Sequence, residues 1–204
     1  MSEKSQTGLT AEELLTVGPI FFCKEMNEMP KLREIYSYDN AAYAPLRDAA
    51  RRATAAYQDA ARGMDTLKEW VLIEFGLVHT AEAIHRLAHL QPQRFDAVGD
   101  ILHQRHLMQE YPETGEYRER PEDMDGVFAE VIRFLGVIEK ALKECVRVSD
   151  ELELYPLGRA FENLQMQNSE SYEKFLYAWQ MYDETDAGAA SFDDWMRKLF
   201  GEEA

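Results

Sequence analysis

A glutamate and a histidine stand three residues apart in the segment Glu82-Ala-Ile-His85. In an α-helix this spacing places a carboxylate and an imidazole one above the other on the same face. Both groups bind divalent transition metals, so the pair could hold one metal ion. Because glutamates are frequent in this chain, the same spacing also arises by chance. The alternative is a histidine at the edge of the core beside a solvated glutamate.

Other side chains are placed to complete such a site. Glu74 and His89 lie on or beside the helix face of His85, and we expect them to support the primary ligands Glu82 and His85. Glu139 lies on the inward side of a later predicted helix, which makes it the candidate bridging or partner carboxylate. The alternative for Glu139 is an ion pair at the helix margin.

Polar residues interrupt the apolar stripe of the last long helix at Gln165 and Asn168. A buried amide needs hydrogen-bond partners. These residues therefore form either a structural network that fixes the helix register or positions that face the metal ligands. A second group of histidines and aspartates lies near a predicted helix end, as solvated side chains or as a weak surface metal site. Its members are Asp96, Asp100, His103 and His106.

The composition excludes several classes of function. The chain has 204 residues, with 38 acidic against 22 basic side chains and a net charge of −16. Such a charge repels phosphate backbones, so we expect no nucleic-acid partner. No apolar run is long enough to cross a membrane, and no secretory signal begins the chain. Cys23 and Cys145 form no thiolate motif, and the sequence predicts a cytoplasmic protein.

Apolar residues recur every three or four positions from Asn40 to Tyr182, which predicts α-helices and no sheet. Four long helices are expected, with the bounds Asn40–Arg62, Leu67–Leu90, Met124–Leu154 and Leu157–Tyr182. Gly63 should loosen the chain after the first helix. Pro92 should kink or break the second, after which the pattern resumes to about Leu107. Pro156 and Gly158 should mark a tight turn.

The segment Met108–Asp125 carries prolines and glycine and is predicted to be a loop, long enough to cross the length of a bundle. The fold class predicted is therefore all-α, an antiparallel four-helix bundle with short extra N- and C-terminal helices. Residues 1–38 form an irregular N-terminal segment with short helices in this prediction, and residues 39–183 form the bundle. Residues 184–204 form a linker and a short helix capped by Ser191.

This order of elements, the Glu82–His85 segment and the inward Glu139 resemble the ferritin-like superfamily, including its Dps-type branch, over roughly Asn40–Tyr182. The resemblance implies a ferritin-like bundle that binds iron, oxidises Fe(II) and assembles as a homo-oligomer. The first helix has no carboxylate on its apolar face, however. The last helix has no second glutamate–histidine pair and carries Gln165 instead. The implied site is therefore single-metal, degenerate or shared between subunits.

Two functions are consistent with these features. The first is a ferritin-like metal-binding protein, with iron as the cofactor and oxidation of Fe(II) as the reaction. The alternative is a non-catalytic helical-bundle protein for interaction or assembly, favoured by the alanine-rich first helix and the aromatic-rich last helix. Structural binding of divalent cations by an acidic bundle is a third. Whether the chain is an enzyme stays open, and a homo-oligomer is expected.

Overall fold

The computed structural model describes residues 41–113, 115–184 and 189–201, and among these every regular element is helical. The predictions for residues 1–38, including their short helices, lie outside the described residues. The all-α prediction is confirmed. The long helices are α1 (Ala44–Trp70), α2 (Val78–His103), α3 (Met124–Glu151) and α4 (Tyr155–Glu184), followed by the shorter α5 (Ala189–Gly201).

Helix α1 is longer than the sequence predicted and runs through Gly63 without interruption. The expectation that Gly63 loosens the chain was wrong because this glycine makes room for a neighbouring side chain. A Cβ at Gly63 would lie 2.1 Å from the Phe134 ring of α3. The alanines of α1 are buried inside the same bundle, between 0% and 5% exposed for Ala49, Ala53 and Ala56. They therefore give no support to an oligomer contact on this face.

The break between the first two helices lies further along the chain than expected. After Trp70 the backbone forms a π-helical turn over Val71–Phe75 and then reverses at Gly76. Gly76 has a φ of 67°, a conformation that glycine adopts without the steric cost of a Cβ. The second helix consequently starts at Val78, so Trp70 and Glu74 do not belong to it.

Helix α2 continues past Pro92 to His103, so the predicted break at this proline is absent. Pro92 is exposed, and its ring faces solvent. One residue earlier, the buried side chain of Gln91 donates a hydrogen bond of 2.7 Å to the carbonyl of Leu87. The carbonyl that Pro92 leaves without its helical partner is that of Ala88, so the Gln91 bond lies beside the proline and does not replace the missing bond.

The turn between α3 and α4 is formed by residues 152–154, with Glu153 at a φ of 57°. Pro156 and Gly158 lie inside the first turn of α4, not in the connection as predicted. Proline is well tolerated in a first helical turn because its missing N–H would have no partner there.

Side-chain contacts at the helix ends define the topology. Trp70 at the end of α1 donates to the carbonyl of Pro121, just before α3, at 2.9 Å. Trp179 near the end of α4 donates to Asp125 at the start of α3, at 2.7 Å. Helices α1 and α4 therefore end where α2 and α3 begin, so the main packed pairs of long helices, α1 with α2 and α3, and α4 with α2 and α3, are antiparallel. The connection over residues 104–123 crosses the length of the bundle, as predicted.

Helix α5 is attached to the start of α2 by a side chain from far along the sequence. Asp193 is 9% exposed and accepts hydrogen bonds from the backbone N–H groups of His79 and Thr80, at 3.1 and 2.8 Å. It also accepts from the Thr80 hydroxyl at 2.9 Å. Helix α2 has no cap of its own, so Asp193 satisfies its first amides. The predicted cap Ser191 lies inside α5.

Candidate metal site on α1 and α2

Three side chains with metal-binding atoms meet where α1 and α2 pack together. They are Asp65 of α1 with His85 and His89 of α2, and their ligand atoms all lie within 4.8 Å of one another. The Nδ1 atom of His85 is 3.0 Å from Oδ1 of Asp65. The His85 and His89 rings are 4.3 Å apart between centroids and almost perpendicular, at 83°. Among the described residues this is the only such group.

The helix pairing brings these residues together. His85 and His89 are four residues apart, which places them one turn apart on the same side of α2. Their neighbours Ile84 and Ala88 are buried, as is Met64 beside Asp65. The three candidate ligands therefore lie at the margin of the α1–α2 interface, where the apolar face gives way to solvent. An ion can reach them without opening the core.

The chemistry of this group, which we call the Asp65–His85–His89 cluster, suits a transition metal. Two imidazoles and one carboxylate, with positions left open, are typical of non-haem Fe(II) sites. Two ligands about 2.1 Å from one ion and about 90–110° apart are separated by about 3.0–3.5 Å. The 3.0 Å between His85 and Asp65 already matches this separation. The His85 and Asp65 side chains are 39% and 51% exposed, so they have room to adjust.

Glu82, predicted as a primary ligand, does not join the cluster. Its carboxylate accepts a hydrogen bond of 2.6 Å from Arg86, and this bond holds the pKa of Glu82 below its usual range. His79 lies 3.9 Å from the other carboxylate oxygen. The exposed Glu82 thus belongs to an ion pair along α2.

Glu139 makes its contacts with α4 and its own helix. It accepts hydrogen bonds from Gln165 at 2.8 Å, Asn168 at 3.2 Å and Ser169 at 3.2 Å, and Lys143 lies 3.4 Å away. Asn168 also donates to the carbonyl of Leu135 at 3.0 Å. This arrangement matches the structural network that was one of the two interpretations of the polar residues in α4.

The remaining predicted positions are spread over the surface. Glu74 is exposed on the π-helical turn before Gly76. His103 and His106 are exposed at the end of α2 and beyond it, and in the part of the chain that the structure describes they form no group able to share a metal. Of the five predicted ligands, the structure brings together His85 and His89.

Comparisons with known proteins give the fold. No family model matches the sequence, and no curated protein matches it at a significant level. Solved structures do match, among them one titled "Crystal structure of M. penetrans Ferritin", with a TM-score of 0.71 and 10% sequence identity. That match covers 80% of this chain and 98% of the other chain. The chain has the ferritin-like fold. At 10% identity the likeness establishes the fold alone.

The interior of this ferritin-like bundle does not fit a di-iron centre. Such centres use inward-facing carboxylates and histidines from all four helices. Here the buried polar side chains of α1, α2 and α4 include Tyr57, Gln91, Arg94 and Asn168. Burial raises the pKa of the Tyr57 phenol, which keeps it neutral, and Arg94 introduces a positive charge that opposes a metal cation. The donor set fits a metal at the surface cluster and not in the centre.

Asp65 is the ligand candidate that sequence reasoning missed. The predicted bounds Asn40–Arg62 and Leu67–Leu90 leave Asp65 in the connection between two helices. The structure instead places it within the last two turns of α1, facing α2. The only signal for this position in the sequence would have been a first helix that continues through Gly63.

None of the described helices is long and apolar enough to cross a membrane.

Proposed function

We propose that this ferritin-like protein binds one divalent transition-metal ion, with Fe(II) as the leading candidate, at the Asp65–His85–His89 cluster. The observation that carries the proposal is the convergence of two imidazoles and a carboxylate within 4.8 Å. Neutral imidazole favours iron, zinc and similar ions over calcium or magnesium, which prefer oxygen ligands alone. The chain's net charge of −16 also attracts cations toward its surface.

The reaction proposed for this site is oxidation of bound Fe(II) by dioxygen, in which each Fe(II) gives up one electron, and four such electrons with four protons from solvent reduce one dioxygen to two waters. Three protein ligands leave coordination positions open, and the exposure of the cluster admits dioxygen from solvent. The role of the chain's own residues is to hold the ion. Asp65 supplies negative charge, and His85 and His89 supply nitrogen donors.

The direct experiment is to load the purified full chain with Fe(II) without oxygen, remove weakly bound ions by dialysis and measure iron per chain by elemental analysis. We expect about one retained ion per chain, and far less for His85→Ala, because removing one ligand of three weakens binding strongly. Admission of air should then oxidise the retained iron. Equal iron in the wild type and the variant would show that the acidic surface alone retains it.

The second candidate is a non-catalytic interaction or assembly bundle. Its support is the bundle centre, where a network including Asn168 and Glu139 fills the space with hydrogen bonds. In that case the 3.0 Å contact between His85 and Asp65 is an ordinary surface hydrogen bond. Absence of stoichiometric iron in the loading experiment, and of zinc and manganese when it is repeated with those ions, would favour this candidate.

We also propose a homo-oligomer in the cytoplasm. Apolar side chains project into solvent around the turn between α1 and α2, with Leu72 42%, Ile73 71% and Val78 54% exposed. Exposed apolar groups of this kind are common at protein interfaces. Light scattering on the eluted protein should give a mass above 23.6 kDa. This contact would be excluded by two results together: the wild type stays monomeric at high concentration, and Ile73→Ser does not increase its solubility.

A further inference from the structure

A cavity of about 590 Å³ lies between α2, α4 and the end of α5, away from the metal cluster. This volume is in the range of small-molecule sites. Much of its wall is apolar, with Leu87 from α2, Leu164 and Phe175 from α4, and Phe200 from α5. The Phe175 and Phe200 rings contact each other with centroids 4.8 Å apart and close one end.

Arg94 forms the polar part of this wall. Its side chain is only 9% exposed, yet its guanidinium donates only to neutral oxygens, the carbonyl of Gln167 and the hydroxyl of Ser171, both at 3.0 Å. Both partners also line the cavity. In the described part of the chain no carboxylate forms an ion pair with Arg94, and its Nη1 atom is buried without a hydrogen-bond partner. A buried cation without a counter-charge is costly.

Other charged side chains also line the cavity. They are Arg86, which is paired with Glu82, and Lys174 and Glu170. Glu170 acts on Arg94 through its negative charge, but it is exposed, so water weakens this attraction. The Nζ of Lys174 lies over the Phe200 ring at 4.9 Å from its centroid, which holds this positive charge at the rim.

We propose that this cavity binds a small monocarboxylate with an apolar body, such as a medium-chain fatty acid, with its carboxylate paired to Arg94. The hydrocarbon part would contact Leu87, Leu164 and Phe175, and the ligand would place a carboxylate in direct contact with Arg94, which the exposed Glu170 does not do. Both hydrogens of the Arg94 Nη2 already bond to Gln167 and Ser171, so the carboxylate would pair with the rest of the guanidinium through opposite charge and a charge-assisted hydrogen bond. The inference does not depend on metal binding, since neither His85 nor His89 lines the cavity.

The test is a calorimetric titration of the full chain with octanoate, kept below its micellar concentration. We expect one octanoate per chain. Arg94→Gln should weaken binding at least about tenfold, because a hydrogen bond to a charged group is lost, while Arg94→Lys should restore part of it. Ala97→Phe should also abolish binding, because the larger side chain fills the cavity. This variant leaves the hydrogen bonds of Arg94 intact, so it tests the proposal even where the arginine variants fail to fold.

Two ligand controls separate a carboxylate site from general apolar binding. Octanol and octylammonium carry the same hydrocarbon with no charge or the opposite charge, and each should bind at least about tenfold more weakly than octanoate. His89→Ala should bind octanoate like the wild type. Equal binding of octanoate and octanol, or full octanoate binding by Ala97→Phe, would overturn the proposal.

Discussion

The Nδ1 atom of His85 lies 3.0 Å from Oδ1 of Asp65, a residue twenty positions earlier on the neighbouring helix. This contact joins α1 to α2 at the edge of their interface, and His89 stands against the His85 ring on the next turn. The pair has the separation that two ligands of one ion require. The contact is therefore a pair of metal ligands where an ion binds between these residues, and an ordinary surface hydrogen bond where none does.

Replacement of Asp193 by alanine should destabilise the fold and release α5. Asp193 is buried and satisfies two backbone amides of α2 and the Thr80 hydroxyl, so its loss leaves these donors without partners. We expect a loss of about 1–3 kcal/mol in the free energy of unfolding, measured with denaturant. Faster limited proteolysis before α5 should accompany it.

The adjacent residue Asp194 is the matched control. It is exposed and forms ion pairs only with Arg197 and Lys198 of its own helix. Exposed pairs of this type contribute little, so Asp194→Ala should leave the unfolding midpoint close to that of the wild type. Equal effects of the two substitutions would refute the capping role of Asp193.

Alanine at Gly63 should destabilise the bundle, whereas alanine at Gly136 should not. A Cβ at Gly63 meets the Phe134 ring at 2.1 Å, and the packed core must shift to accept it. Overpacking of this kind costs about 1–3 kcal/mol. Gly136 lies within α3 with no atom within 4 Å of its Cβ position, so alanine there should stabilise the helix by about 0.5–1 kcal/mol. Chemical denaturation should give changes in the free energy of unfolding of opposite sign for the two variants. Changes of the same sign would contradict this account of α1.

The hydrophobic period was enough to predict the helices, whereas glycine and proline were poor guides to their ends. Gly63 and Pro92 are helix breakers by intrinsic preference, yet the ring of Phe134 packs against Gly63 and α2 continues past the exposed Pro92. Such tertiary contacts override local propensity. The crossover loop was predictable because its length and composition are encoded locally.

The candidate site was only half predictable. His85 and His89 share a helix face, so their proximity follows from spacing alone. Asp65 meets them through the pairing of two helices, and no local pattern specifies that relation. Asp193 presents the same difficulty, since it caps amides 113 and 114 positions away. Glu139 pointed inward as predicted, but its partners on α4 depend on the packing of α3 against α4.

Alanine at Glu139 should lower stability without changing metal affinity. Its carboxylate accepts hydrogen bonds from three side chains of α4, and its removal leaves the buried amide of Asn168 with fewer partners. We expect a loss of about 1–3 kcal/mol in denaturant unfolding. Fe(II) affinity measured on the folded variant should match the wild type, whereas a clear loss of affinity would return Glu139 to the ligand set.

The central claim is that Asp65 and the two histidines hold one metal ion, and an anaerobic Fe(II) titration of Asp65→Asn tests it most directly. This substitution removes the negative charge while keeping the side chain's size. Asp48→Asn, on the exposed side of the same helix, is the charge-matched control. We predict saturation at one ion per chain for the wild type and Asp48→Asn, and affinity at least about tenfold weaker for Asp65→Asn. Identical titrations of all three proteins would contradict the account.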